Sequence, residues 1–329
     1  MKRLAVIGGG AWGSALATVG ARAGAGVVLW ARNPTVVAAI NQRHENPLFL
    51  PGIALDPRIA ATTDAATAMA GADAALIVVP AQFLRGAIEM LALLLPAGLP
   101  LLLCAKGIET GSLQTMSEIA GEIVPHAPVA ILSGPSFAAE VAQGLPTAVT
   151  IASRDPALAG AFVRALGTQR FRPYSSADPI GAEIGGAVKN VLAIACGIIE
   201  GRGLGDNARA ALITRGLAEM IRLGLAKGAD AETFRGLSGV GDLVLTCTAG
   251  QSRNYTLGLA LGRGASLSEA LAGQRSVVEG IATSASVAAL AARLRIEMPI
   301  TEAVDGVLHR AIAIDMMIDG LLSRPYRSE

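Results

Sequence analysis

The chain has 329 residues, long enough for two units that each bury a core, and its net charge of +1 gives no pull toward nucleic acid or an anionic membrane. Aromatic content of 3% leaves few platforms on which bases could stack. Cys104, Cys196 and Cys247 lie far apart and outside any CxxC spacing, and His44, His126 and His309 are equally scattered, so neither a disulfide framework nor a metal site is expected; the cysteines read as reduced core thiols of a cytoplasmic protein.

Met1-Lys2-Arg3 followed by an uncharged run from Leu4 to Ala21 has the outline of a signal peptide, but glycines at 8, 9, 10 and 13 break it. Residues 3–7 instead read as a strand, 11–23 as a helix and 26–31 as a second strand, with Gly8, Gly10 and Gly13 in GxGxxG spacing at the first turn. In a dinucleotide site one glycine permits the turn, the next lets backbone amides reach a pyrophosphate, and the third lets helix and strand pack closely. After the second strand, where an acid would favour NAD, stand Arg32 and Asn33; a guanidinium there suits a 2′-phosphate and favours NADPH over NADH, or else is a solvated loop arginine.

Further strands are predicted at 59–62, 74–79, 100–104, 129–132, 148–152 and 171–174, most separated by helical patterns such as 83–95 and 156–166. The uncharged stretch from Met90 to Ala105 is broken by Pro96, Gly98 and Pro100 and reads as a helix and a buried strand, with no membrane insertion. This alternation predicts an α/β fold: a Rossmann-type doubly wound sheet over 1–178, followed by an all-helical unit over 179–329, where the strand pattern fades. Strand ends carry polar clusters: Lys106 and Gly107 after one, and Gly134 and Ser136 after another, ahead of a helix at 138–143. There Ser136 and free amides suit an anion, although Ser136 alone reads as an ordinary N-cap.

The helix predicted from Gly181 to Glu200 carries one cation, Lys189. Ile184, Val188, Val191, Leu192 and Ala195 make a greasy face; Ala182, Gly185, Gly186, Lys189, Ala193 and Cys196 make a face of small residues, a trough with a lysine in it. A lysine on a helix is most often solvated, but two adjacent glycines cost roughly 1 kcal/mol each and ask for a close neighbour. Downstream, Asp242 and Thr246 stand one helical turn apart, and Gln251, Ser252, Arg253 and Asn254 cluster donors around a guanidinium that suits a phosphate.

The motifs GGGAWGSALA, HENPLFLPG, AKGIET, LSGPSFAAEVAQGLPTA, GGAVKNVLAIACGI, ARAALITRGLAEM, GVGDLVLTCT, QSRN and VVEG occur in that order between residue 4 and about residue 310. In them the chain resembles the soluble NAD(P)-dependent glycerol-3-phosphate dehydrogenases of bacterial type. The resemblance implies reversible hydride transfer between NADPH or NADH and dihydroxyacetone phosphate, giving sn-glycerol 3-phosphate for phospholipid synthesis. It further implies that Lys189 is the general acid and base, with Lys106, Asn190, Asp242 and Thr246 around it. Lys106, Gly134, Ser136, Lys189, Asp242, Ser252, Arg253 and Asn254 match substrate positions, Arg253 and Asn254 as the phosphate clamp. Nucleotide positions are matched by Ala11, Trp12, Arg32, Asn33, Phe49, Lys106, Ala138, Arg253, Val277 and Glu279, beside Gly8, Gly10 and Gly13. Two positions depart from the family pattern: alanine replaces the common serine at 11 and phenylalanine the common tyrosine at 49, each removing a hydroxyl, while the Ala11 amide remains. A carboxylate-directed reductase of the ketopantoate or hydroxyisobutyrate kind and a non-catalytic NADPH sensor are the alternative readings. The alanine-rich helical half offers a possible homodimer face.

Overall fold

A computed structural model describes residues 1–273 and 276–325. In chain order it begins with β1 (Arg3–Ile7), α1 (Ala11–Arg22), β2 (Gly26–Trp30) and α2 (Pro34–Arg43), which Asn33 caps by accepting the Thr35 N–H. A small hairpin, β3 (Glu45–Asn46) and β4 (Leu50–Ala54), precedes β5 (Ile59–Thr62), α3 (Ala65–Met69), β6 (Ala74–Ile77) and α4 (Leu84–Ala92). Then come β7 (Leu101–Leu103), α5 (Met116–Ile123), β8 (Val129–Ser133), α6 (Ala138–Gln143), β9 (Thr147–Ala152), α7 (Pro156–Leu166) and β10 (Phe171–Ser176).

These strands, the hairpin apart, form one sheet in the order β5-β2-β1-β6-β7-β8-β9-β10. The first six run parallel; β8 meets β9 antiparallel, with Ile131 opposite Ala152, and β9 and β10 are again parallel. Alternation along β1 feeds two cores: Leu4 and Val6 pack with residues of α1, α2, α6 and α7, while Ala5 and Ile7 pack with α3, α4 and α5 on the other face. The chain leaves β1 toward β2 and β5 and returns to lay β6 on its far side. That reversal opens a crevice between the ends of β1 and β6.

The rest is helical: α8 (Pro179–Gly201), α9 (Gly205–Ala226), a 3₁₀ turn at Ala231–Arg235, a π-helical turn at Leu237–Gly241, then α10 (Asp242–Thr248), α11 (Arg253–Gly262), α12 (Leu267–Leu271), α13 (Glu279–Leu294), α14 (Pro299–His309) and α15 (Ile314–Leu322). α8 is the axis of this half. The greasy-face and trough picture is corrected here: every residue from Gly181 to Ile199 is buried, because neighbours cover both faces. Among the described residues α8 alone is long and apolar enough to cross a membrane by length and composition, and its most apolar stretch of 18 residues is entirely buried inside the protein.

The small residues of α8 are explained by what presses on them. A Cβ on Gly197 would stand 2.1 Å from the Tyr255 carbonyl oxygen, and one on Gly201 2.6 Å from that of Leu259. Reciprocally, a Cβ on Gly258 would meet the Ile194 oxygen at 2.0 Å and one on Gly262 the Ile198 oxygen at 2.6 Å. Two glycines four apart on each helix thus let α8 and α11 pack backbone to backbone. This contact carries Arg253 and Asn254, at the start of α11, alongside the middle of α8.

Candidate active site

The glycine turn fits a dinucleotide by its own geometry. Gly8 has φ +131°, which side chains rarely adopt, and a Cβ there would stand 2.4 Å from the Val78 oxygen. A Cβ on Gly13 would meet the Gly8 oxygen at 1.8 Å, whereas one on Gly10 would meet nothing within 4 Å. Space is therefore kept open where the first-turn amides of α1, including those of Ala11, Trp12 and Gly13, lack helical partners. Buried Asn46 fastens the β3–β4 hairpin to this turn, donating to the Gly9 oxygen and to Ser14 Oγ, both at 2.9 Å. Its Oδ1 accepts the Phe49 N–H, and the Phe49 ring packs on the core. At the crevice rim the exposed Arg32 lies 6.0 Å above the ring of Phe83, itself 54% exposed.

Across the crevice, helices and strand ends meet around one carboxylate. Asp242, the first residue of α10, is fully buried. Its Oδ1 accepts from Lys189 Nζ at 2.5 Å and its Oδ2 from Lys106 Nζ at 2.8 Å. Lys189 also donates to Thr246 Oγ1 at 2.9 Å, and that hydroxyl donates back to the Asp242 carbonyl at 2.7 Å. Lys106 donates to the Gly134 oxygen at 2.8 Å, which Ser136 Oγ also engages at 2.9 Å. An ammonium has three N–H donors, so each lysine keeps one for a further acceptor.

Burial pushes the Lys189 ammonium down, Asp242 opposes that shift and Lys106 adds to it, with a result of about 8. Burial alone would raise the Asp242 carboxyl, but the Lys106 and Lys189 ammoniums outweigh it and hold it below the ordinary range. The adjacent glycines of α8 make the approach possible. A Cβ on Gly185 would stand 2.2 Å from the Ser238 oxygen, and one on Gly186 would meet Ser133 Oγ at 2.9 Å and the Lys106 Cγ at 3.3 Å. The trough predicted from the sequence is occupied by the Lys106 side chain and by the π-helical turn that precedes Asp242.

Two asparagines brace this centre. Asn190 Nδ2 donates to the oxygens of Lys106 and Gly186 at 3.1 and 3.2 Å, and its Oδ1 accepts from Asn254 Nδ2 at 2.9 Å. Both Asn190 donors are thus spent on protein. Asn254 Oδ1 accepts the Gly280 N–H, leaving one Asn254 N–H unspent. Ser252 is the N-cap of α11, accepting the Tyr255 N–H. The exposed Arg253 donates to the Val277 oxygen at 2.6 Å, near Glu279, whose Oε1 accepts the Ala81 N–H in the 3₁₀ turn that follows β6. Burial pushes the Glu279 carboxyl upward, against the Ala81 N–H and Arg253. Ser136 is not an N-cap: Phe137 holds that position in α6 without a side-chain bond, and the Ser136 hydroxyl turns back to Gly134.

The structure thus gathers Lys106, Gly134, Ser136, Lys189, Asn190, Asp242, Thr246 and Asn254 in one place, with Arg253, Val277 and Glu279 beside it and Ala138 opening α6. Asn46, Phe83 and the hydroxyls of Ser133, Ser238 and Thr283 escaped the sequence reading. Those three hydroxyls are buried with no hydrogen-bond partner among the described residues, a property that only the folded chain reveals.

A model described as the NAD-dependent glycerol-3-phosphate dehydrogenase N-terminus matches residues 3–159, and its C-terminal counterpart matches residues 178–319. The chain belongs to this dehydrogenase family. An NAD(P)+ glycerol-3-phosphate dehydrogenase of Rhodospirillum rubrum is 60% identical over 326 residues, 99% of this chain and 93% of that protein. Another from Caulobacter vibrioides is 56% identical, covering 100% of this chain and 99% of the relative. The crystal structure of the glycerol-3-phosphate dehydrogenase of Coxiella burnetii superposes with a TM-score of 0.94 at 41% identity, over 98% of this chain and 99% of that one.

Proposed function

We propose that this chain catalyses the reversible NAD(P)-dependent reduction of dihydroxyacetone phosphate to sn-glycerol 3-phosphate. The observation that carries the reading is the single buried carboxylate of Asp242 holding two lysines, each with a donor to spare, beside a crevice built for a dinucleotide. The reduced nicotinamide, when bound, supplies the hydride that C2 of the ketone accepts. Lys189 as ammonium gives a proton to the C2 oxygen, and Lys106 adds positive charge beside it. In the reverse direction neutral Lys189 takes the hydroxyl proton, and a value of about 8 makes both forms accessible near neutral pH. Thr246 and Asp242 orient the Lys189 ammonium, and Asn190 holds Lys106 and Asn254 in register. Arg253 and the remaining Asn254 N–H take the phosphate, with Gly134, Ser136 and Ser252 along the substrate path.

The nucleotide is held by the amides of the Gly8, Gly10, Ala11, Trp12 and Gly13 turn, with Asn33, Phe49, Lys106, Ala138, Arg253, Val277 and Glu279 along its length. Arg32 favours NADPH through its 2′-phosphate. We assign residues 1–178 to the nucleotide and 179–329 to the substrate as two domains, a division supported by the start of α8 at Pro179. The wider role is supply of glycerol phosphate for phospholipid synthesis in the cytoplasm, by a homodimer. Support for the dimer comes from α9, which buries only Gly216, Glu219, Met220, Leu223 and Gly224 of its length and leaves Leu204 and Leu225 exposed at its ends.

Consumption of NADPH with dihydroxyacetone phosphate, beside ketopantoate and an unphosphorylated ketone, tests the assignment. Turnover confined to the phosphorylated ketone is expected. Equal turnover of the carboxylate substrate, or NADPH binding without turnover of any, would replace the reading. Light scattering tests the dimer, and a monomer at micromolar concentration would remove it.

A further inference from the structure

The start of α8 belongs to the sheet half and its remainder to the helical half. Ala182 packs in the core beneath the sheet with Ile77, Leu103 and Ile131, whereas Ile184, Ala187 and Val188 belong to the helical core. Glu183 stands between them, 4% exposed, and its carboxylate turns toward the sheet half. It accepts the Ser117 N–H at 2.7 Å and the Ser117 hydroxyl at 2.6 Å. Ser117 is the second residue of α5, in the turn whose amides have no helical partner. A carboxylate from one half therefore caps a helix of the other. The same end of α5 carries Glu118, which closes a capping box with Thr115 and pairs with Lys227 just past α9.

Lys189 lies six residues beyond Glu183, a rise of about 9 Å along the helix. Every residue between them is buried, and Gly185 and Gly186 are pressed by the Ser238 backbone and the Lys106 side chain, so this stretch has no slack. A change in the seat of Glu183 is passed to Lys189. The glycine turn sits on the sheet half to which Glu183 is tied.

We propose that Glu183 is a positioning residue for the reaction: its bonds to Ser117 set the place of Lys189 over the strand ends that carry the nucleotide. This rests on the function proposed above. Glu183→Ala removes the tether, while Glu183→Gln retains an acceptor for the Ser117 amide and a polar partner for its hydroxyl. In Glu183→Ala the rate constant kcat for ketone reduction falls about 10- to 100-fold, as for a misplacement of about 1 Å. NADPH affinity by fluorescence titration stays within about threefold, and the deuterium isotope effect with NADPH labelled at the transferred position rises as hydride transfer becomes limiting. Glu183→Gln restores kcat to within about threefold of wild type. A Glu183→Ala protein with a lowered Tm but wild-type kcat per folded site and an unchanged isotope effect overturns the proposal, because a purely structural contact does exactly that much and no more. If Glu183→Ala does not fold, Ser117→Ala keeps Glu183 and its bond from the residue 117 amide, and loses the hydroxyl with its bonds to Glu183 and to Thr115 Oγ1. It must lower kcat at least about threefold and raise the isotope effect, and wild-type values there overturn the proposal. Wild-type protein that fails to turn over dihydroxyacetone phosphate strikes the proposed function instead.

Discussion

Replacing Asp242 by asparagine preserves the shape of the α10 start and removes the one anion between two ammoniums. Its oxygens lie 2.5 Å from Lys189 Nζ and 2.8 Å from Lys106 Nζ, and the carboxylate is fully buried. For charge centres about 4 Å apart at an effective dielectric constant of about 20, the attraction is about 4 kcal/mol, or about three pH units on Lys189. The Lys189 value, about 8 with Asp242 in place, then falls toward about 5, because burial and the Lys106 charge are left unopposed. At about pH 7.5 the protonated fraction of Lys189 drops from most molecules to under about 1%, so kcat for ketone reduction falls about 10²-fold. Part of the loss returns as the pH is lowered toward about 5.5, where the variant regains its ammonium. The assay is kcat for dihydroxyacetone phosphate reduction from about pH 5.5 to about pH 9.5, with the alkaline midpoint as readout. A variant whose midpoint remains at the wild-type position would refute the reasoning, since Asp242 would then not be what keeps Lys189 charged.

Lys189→Met keeps the apolar stem and loses the proton donor; kcat is expected to fall at least about 10²-fold with NADPH affinity retained, and near-normal turnover would remove Lys189 from acid and base work. Arg253→Ala should raise KM for the phosphorylated ketone by about 10- to 100-fold with little change in kcat, reflecting charge-assisted bonds of about 1.5–3 kcal/mol; an unchanged KM takes Arg253 out of the phosphate clamp. Gly258→Ala places a Cβ 2.0 Å from the Ile194 oxygen, and calorimetry should find a lower Tm, the overpacking costing at least about 3 kcal/mol, whereas a wild-type Tm would mean that α8 and α11 can separate. Burial pushes the Glu183 and Glu219 carboxyls up to about 7 from 4.5, so the folded state binds more protons than the unfolded chain between those values. Stability against denaturant should therefore fall as pH rises from about 4.5 to about 7, by an order of 3 kcal/mol for each group, and Glu219→Gln should flatten its share of the slope. An unchanged slope would show that Glu219 titrates in the folded protein as it does in the unfolded chain.

Much of the sheet was legible because its signals are local. Apolar runs with a glycine or proline at one end mark β1, β2, β6 and β7 within a residue or two, and the GxGxxG turn places the crevice. α2 has its own local signal, Asn33 followed by Pro34 as a cap and a first-turn proline, which the strand pattern does not use. The reversed direction of β9 had no such signal. Strand direction is settled by how a long connection packs, and the six-residue α6 is too short to return the chain to the same sheet end. The site was legible in its residue types and opaque in their wiring. Asp242 and Thr246 fall one turn apart by count, but that Asp242 takes both lysines, and that Asn190 spends both its donors on backbone oxygens, depends on contacts separated by 84 and 136 positions along the chain. Nor could periodicity show that both faces of α8 are covered, since the covering backbone belongs to α11 and to the π-helical turn.

Burial of Lys189 is the feature from which the rest of the centre follows. A lysine left in water holds its proton with a value near 10.5, so near neutral pH its neutral form would be about one part in 10³, too scarce a base for alcohol oxidation. Burying it without a partner would strip the charge altogether and leave no acid for ketone reduction. Asp242 supplies the intermediate solution, and it does so only because Gly185 and Gly186 admit the turn that presents it and the second lysine that tempers it. The glycines of α8 therefore serve two distances at once: toward α11 they bring the end of that helix that carries Arg253 and Asn254 to the middle of α8, and toward Asp242 they set how strongly Lys189 keeps its proton. Alanine at Gly186 would act on the second alone, since its neighbours are the Ser133 hydroxyl and the Lys106 stem rather than helix backbone.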